Sequence, residues 1–265
     1  MKLPFAQIDA FADRPFTGNP AAVMPLESWL DDALLQAIAQ ENNLAETAFF
    51  IPDSTGEADF ELRWFTPTVE VALCGHATLA SGHHLLTASP DLDRVTFRTR
   101  EAGVLEVRRD AAGYAMALPA YPPEPRQLPG VLAGLGLESA AGTLWHFGRY
   151  ALIVLDDADA VLALTPDFRR LAAEGDVLTI VTAPGKDTDV LSRVFAPGAG
   201  IDEDPVTGAA HAVLTPYWAK RFGRDTFTAY QASPRGGHVD CTLAGDRVIL
   251  LGGCVTVIEG AFLLP

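Results

Sequence analysis

R-W-F-T-P at 63–67 returns 130 residues later as R-V-F-A-P at 193–197. Each pentad leads, through a short loop, into small residues that open an apolar helix pattern. After the first come Cys74-Gly75-His76-Ala77-Thr78-Leu79-Ala80; after the second, Thr207-Gly208-Ala209-Ala210-His211-Ala212-Val213-Leu214. A third echo sets R-E-A-G-V at 100–104 against R-G-G-H-V at 235–239. Three echoes in the same order, at a nearly constant offset, point to two similar half-chains. A cleft between such halves would present two helix N-termini, whose free N–H groups and dipole attract anions.

Working outward, Gln7–Phe11, Ala21–Met24, Ala45–Ile51 and Phe60–Phe65 read as strands, and Cys74–Leu86 as a small-residue helix. Asp31 and Asp32 stand before Ala33, Leu34, Leu35, Ala37, Ile38 and Ala39, an amphipathic helix with acid at its positive end. Val95–Thr99, Val104–Arg108 and Tyr114–Leu118 complete the first half as strands joined by turns. Pro119–Pro129 carries five prolines and reads as a linker. The second half repeats the order, with strands at Thr143–Phe147, Ala151–Leu155, Val177–Thr182 and Asp189–Phe195 before a helix over Gly208–Ala219. Short helices are expected around Asp157–Leu164 and Pro166–Ala173. Strands at Phe227–Gln231, His238–Leu243, Val248–Leu251 and Val255–Glu259 finish the chain, and the partner of the last is left open. The expected division is 1–119 and 130–265, with 120–129 between them. Neither half has the regular strand–helix alternation of a doubly wound parallel sheet. Each is strand-rich around one apolar helix whose small residues suit enclosure by a curved sheet. The fold class is therefore α+β, with two pseudo-symmetric halves, each a curved, mostly antiparallel sheet around a central helix.

A formal net charge of −15 argues against nucleic acid or an anionic membrane as partner, since both require a basic surface. It leaves a small anionic substrate open, because backbone dipoles in a cleft act locally. Three cysteines, Cys74, Cys241 and Cys254, without metal spacing fit reduced thiols. No signal-like or membrane-length apolar run is present, so the expected location is the cytoplasm.

The chain resembles the PhzF-like family, named for a phenazine-biosynthesis isomerase and sharing the diaminopimelate epimerase fold. The likeness rests on F-T-G-N-P at 16–20, N-L-A-E-T at 43–47, R-W-F-T-P at 63–67 and L-C-G-H-A-T-L-A at 73–80. It continues with S-R-V-F-A-P at 192–197, E-D-P-V-T-G-A-A-H at 203–211 and Q-A-S-P-R-G-G at 231–237, and so covers nearly the whole chain. The resemblance implies an active site between the halves, no metal or organic cofactor, and frequent homodimers. It also places the family's catalytic carboxylate on Glu46, its helix-start histidine on His76 and its aspartate on Asp204. Where the family commonly has serine after the second helix's glycine, this chain has Ala209.

The residues themselves allow plainer readings. Glu46 sits among Leu44, Ala45, Ala48, Phe49 and Phe50, and as bare sequence is a solvent-facing position on an alternating strand. Asp204, before Pro205, reads as a turn or cap aspartate, with Glu203 its competitor for any role. His76 reads as a satisfied buried histidine, His211 as structural, and His83 and His84 as facing outward. With the resemblance, Glu46 becomes the general acid/base of a proton shift on a carbon acid, a task suited to a partly desolvated carboxylate. His76 becomes its relay or a hydrogen-bond donor. The N–H groups around Gly75, His76, Gly208 and Ala209 become a carboxylate cradle. Each charge-assisted hydrogen bond there would contribute about 1.5–3 kcal/mol, enough for capture without an arginine.

Two-base racemases of this fold use a thiol on each side of the substrate carbon. Cys74 has no cysteine counterpart around Asp204–Thr207, which favours one carboxylate over two thiols. The expectation is a cofactor-independent isomerase of a small cyclic or amino-acid-like carboxylate. An amino-acid epimerase and a non-catalytic carboxylate-binding protein are the alternatives.

Overall fold

The computed structural model describes residues 1–264. The chain forms two compact units: Met1–Ala117 together with the chain from Leu251 on, and Leu118–Leu250. In order come β1 (Lys2–Ala10), β2 (Asn19–Pro25), α1 (Asp32–Asn42), β3 (Glu46–Pro52), β4 (Phe60–Phe65), β5 (Glu70–Val71), α2 (Gly75–Ala88), β6 (Arg94–Arg98), β7 (Val104–Asp110) and β8 (Gly113–Pro119). Next are β9 (Glu124–Pro125), α3 (Pro129–Gly134), β10 (Gly142–His146), β11 (Tyr150–Val154), α4 (Ala158–Leu162), α5 (Phe168–Ala173), β12 (Leu178–Pro184), β13 (Val190–Ala196) and β14 (Ile201–Asp204). Then follow α6 (Gly208–Phe222), β15 (Thr226–Gln231), β16 (Gly237–Ala244), β17 (Arg247–Gly252) and β18 (Cys254–Leu263). Among the described residues no helix is long and apolar enough to cross a membrane.

The sequence echo is an echo of strand pairing. In the first unit β1 pairs antiparallel with β2, β2 parallel with β3, and β3 antiparallel with β4. Strand β4 then pairs antiparallel with β5 and parallel with β6, and β6 antiparallel with β7. In the second unit β10 to β16 repeat this sequence of parallel and antiparallel pairings step for step. The flanks repeat as well. Strand β18, whose destination the sequence leaves open, runs antiparallel to β1, as β9 runs antiparallel to β10. The proline-rich stretch thus contains a paired strand of the second unit, and Tyr121 N–H there donates to the Ala212 carbonyl at 2.9 Å.

The pentads lie on the matching strands β4 and β13. Arg63 Nε and Nη2 donate to the two carboxylate oxygens of Glu70, both at 2.8 Å, while Arg193 Nε and Nη2 reach Glu203 at 2.7 and 2.9 Å. Each guanidinium also lies 5.0 Å from the ring of the phenylalanine two residues on, Phe65 or Phe195. Strand alternation puts residues i and i+2 on one face, which is why R-x-F is the unit that repeats. The fork of an arginine matches a carboxylate bidentately, so the pair pins β4 to β5 and β13 to β14.

Residues Gly75 to Gly82 of α2 are all buried, so every face of its first two turns is enclosed, as its small residues require. Gly82 is needed for this: a Cβ there would fall 2.4 Å from Val107 Cγ1. The histidines expected to face outward do not. α2 runs on to Ala88, and His83 and His84 are half-buried within it. His83 Nε2 lies 2.9 Å from Thr256 Oγ1, its ring packs edge-on against Tyr114, and burial pushes its pKa down to about 4. The return of β18 covers that face, which the local pattern does not reveal.

Candidate active site

Glu46 is the first residue of β3, paired with Ala21 of the parallel strand β2. His76 stands in the first turn of α2, whose N-cap Cys74 makes no side-chain capping bond. The two converge: His76 Nε2 is 3.1 Å from Glu46 Oε2, with side chains only 5% and 13% exposed. Neither atom has another hydrogen-bond partner among the described residues, and the contact is short without being well directed. On the ring's other side, Nδ1 lies 3.2 Å from Asn19 Nδ2 and 3.5 Å from Cys74 Sγ.

Burial opposes a positive charge on the His76 ring, while Cys74 and Glu46 favour it. The Cys74 contribution needs a thiolate. Yet burial first, and the charge of Glu46 second, push that thiol up to about 11, so it is neutral over the physiological range. What remains beside Nε2 is the one carboxylate of Glu46. One ligand atom from each of Glu46, Cys74 and His76 falls within 4.8 Å of the others, the reach of a metal ion. However, the ring turns different nitrogens toward Glu46 and toward Cys74, and the thiol keeps its proton.

In the second unit, Asp204 ends β14 and is 8% exposed. It accepts a hydrogen bond at Oδ2 from the Thr207 hydroxyl. Thr207 is the N-cap of α6 without a capping side-chain bond, because its hydroxyl is turned to Asp204. Gly208 is buried and Ala209 half-buried in the first turn. Fully buried Gln231 ties this loop together: its Oε1 accepts from Thr207 N–H at 2.9 Å, and its Nε2 donates to the Asp204 carbonyl at 2.7 Å. His211, held to be structural, is fully buried with Nδ1 2.8 Å from the Thr207 carbonyl.

The structure thus brings Glu46, His76 and Gly75 together in the first unit, and Asp204, Gly208 and Ala209 together in the second. Sequence reasoning assigned no part to Asn19 or Gln231. The signals were present in F-T-G-N-P and Q-A-S-P-R-G-G, but a buried amide and a turn amide look alike in sequence.

Comparison with known proteins gives a consistent picture. The profile of the phenazine biosynthesis-like protein family (PhzC-PhzF) matches residues 8–260. An uncharacterised isomerase of Pseudomonas aeruginosa is 48% identical over 265 residues, covering 98% of each chain. The crystal structure of a PhzF-family phenazine biosynthesis protein from Enterococcus faecalis superposes with a TM-score of 0.90 at 42% identity, over 100% of both chains. A hydroxyproline epimerase from Agrobacterium vitis shares the fold alone, with a TM-score of 0.63 at 12% identity over 98% of this chain and 92% of that one.

Proposed function

This chain belongs to the phenazine biosynthesis-like (PhzF) family, some of whose members are named as isomerases, and we propose that it is an isomerase moving a proton between carbons of a small carboxylate. Glu46 is the general acid/base. It takes a proton from one carbon and delivers one to another after exchange with solvent, and His76 is the relay or hydrogen-bond donor at its Oε2. The observation that carries this reading is the buried 3.1 Å contact of Glu46 with His76 at an uncapped helix start. Simple binding has no use for a buried proton carrier and its relay. N–H groups at Gly75 and His76 supply the donors for a substrate carboxylate and for negative charge spreading toward it. Asp204 is assigned the third catalytic role, binding an amino or hydroxyl group or tuning the proton carrier, and Gly208 and Ala209 the substrate-binding roles that the family likeness implies. The substrate is cyclic or amino-acid-like, and no metal or organic cofactor is needed for a proton shift of this kind.

A single-carboxylate scheme is favoured over a two-thiol epimerase by the state of Cys74, a buried neutral thiol, and by Thr207 at the matching helix start. The test is proton exchange in heavy water. Wild type and Glu46→Gln are incubated with dihydroaromatic and amino-acid carboxylates, and deuterium uptake is read by mass spectrometry. Uptake by wild type alone is expected. Binding without uptake across the panel would turn the reading toward a carboxylate-binding protein.

A further inference from the structure

Asn19 is fully buried, opens β2 opposite Ala10, and directs Nδ2 at His76 Nδ1. An amide nitrogen only donates. The neutral Cys74 thiol, 3.5 Å from the same ring nitrogen, is free to turn its hydrogen toward it as well. Two donors meeting at Nδ1 leave no place there for a proton of its own. The ring's hydrogen then belongs on Nε2, the nitrogen that faces Glu46. Glu46 draws a second proton toward the ring by charge. However, an imidazolium would point Nδ1–H at the amide N–H of Asn19, and that hydrogen-bond direction decides against it.

The turn that carries Asn19 holds it in place. Phe16 N–H donates to Asp9 Oδ2 at 2.9 Å. Gly18 has φ +66°, and a Cβ on it would lie 2.2 Å from the Ala10 carbonyl oxygen. Only glycine fits there, so the next residue cannot drift without breaking the turn.

We infer that Asn19 is a positioning residue: its amide, seconded by the Cys74 thiol, fixes His76 as the Nε2–H tautomer and so presents Glu46 to substrate as a proton acceptor. Glu46 Oε2 receives the Nε2–H, and Oε1 meets the substrate C–H. The first step is then proton uptake by Oε1, with the electron pair of the C–H bond left on the carbon framework. The protonated Oε1 exchanges with solvent and delivers a proton to a second carbon, where the electron pair of the framework receives it, and this closes the cycle. The opposite tautomer would make Nε2 an acceptor and hold Glu46 as the acid. Only this direction of proton flow rests on the proposed function. The tautomer is a property of the free protein.

The experiment is ring-nitrogen NMR of the full chain labelled with ¹⁵N-histidine at pH 7, with His76 assigned by its loss in His76→Gln. A protonated Nε2 and an unprotonated Nδ1 are expected. Asn19→Asp puts an acceptor at Nδ1 and is expected to move a proton onto it, with a matching loss of deuterium exchange into substrate. A protonated Nδ1 in wild type, as neutral ring or imidazolium, would overturn the inference, and so would a pattern unchanged by Asn19→Asp. If Asn19→Asp does not fold, the wild-type spectrum alone decides. The expected tautomer with no exchanging compound would uphold Asn19's role and sink the isomerase reading instead.

Discussion

His76 Nε2 lies 3.1 Å from Glu46 Oε2, although one residue stands in the first turn of a helix and the other begins a strand. Removing the ring strands the carboxylate without its proton partner. His76→Gln is expected to lower the rate of deuterium exchange by about 10²–10⁴-fold, the usual worth of a positioned acid–base group. Circular dichroism should show the fold retained. A variant exchanging at the wild-type rate would remove His76 from the mechanism.

Cys74 tests the one-carboxylate scheme. Its thiol is 6% exposed and is pushed up to about 11 by burial, ahead of the Glu46 charge. Thiolate is the reactive species, so native protein at pH 8 should resist alkylation at Cys74 while unfolded protein reacts. Peptide mass mapping reads both. Cys74→Ser is expected to keep substantial exchange activity; complete loss with folding intact would restore a thiol base.

Much of this architecture was legible because it was written twice. R-x-F in matching strands and a glycine at the start of each apolar helix are local patterns, and both survive in the fold as pairings and enclosed helices. Glu46 and His76 were found through motifs, but their contact joins β3 to α2 across the first unit, a register no local period encodes. Asn19 and Gln231 were missed because their work is done by burial, which an amide in a turn motif does not advertise. The return of β18 to β1 escaped for the same reason. A last strand with no distinctive local signal fits either unit, and its pairing is long-range by nature.

The twin arginines should differ in their cost. Glu203 has Arg193 as its cation, and that guanidinium also satisfies the carbonyl of Leu164 at 2.8 Å. Glu70 has Arg63 but also Arg100, at 3.1 Å. Breaking a buried pair by removing one partner costs about 3–5 kcal/mol, chiefly because the other charge is left alone. Arg193→Ala is expected to approach that loss, and Arg63→Ala to fall short of it while Arg100 remains. Urea unfolding of the two variants gives the order, and a larger loss at Arg63 would refute the argument.

His211 should make the protein sensitive to mild acid. Burial, only partly offset by the hydrogen bond to the Thr207 carbonyl, pushes its pKa down to about 4. Its Nε2 is buried with no hydrogen-bond partner among the described residues, so a proton there would be unsolvated. Between the unfolded value near 6.5 and the folded value near 4, the unfolded chain holds the proton and the folded chain does not, so stability rises with pH across that window. Going down from pH 7 to pH 5 should therefore cost about 2 kcal/mol through this one residue. His83, also depressed to about 4, adds to the same trend, so the residue-specific share must be read as a difference. Urea midpoints at pH 7 and pH 5 for wild type and His211→Leu supply it. The variant should lose that portion of the pH dependence, and equal slopes in the two proteins would show that His211 titrates alike folded and unfolded.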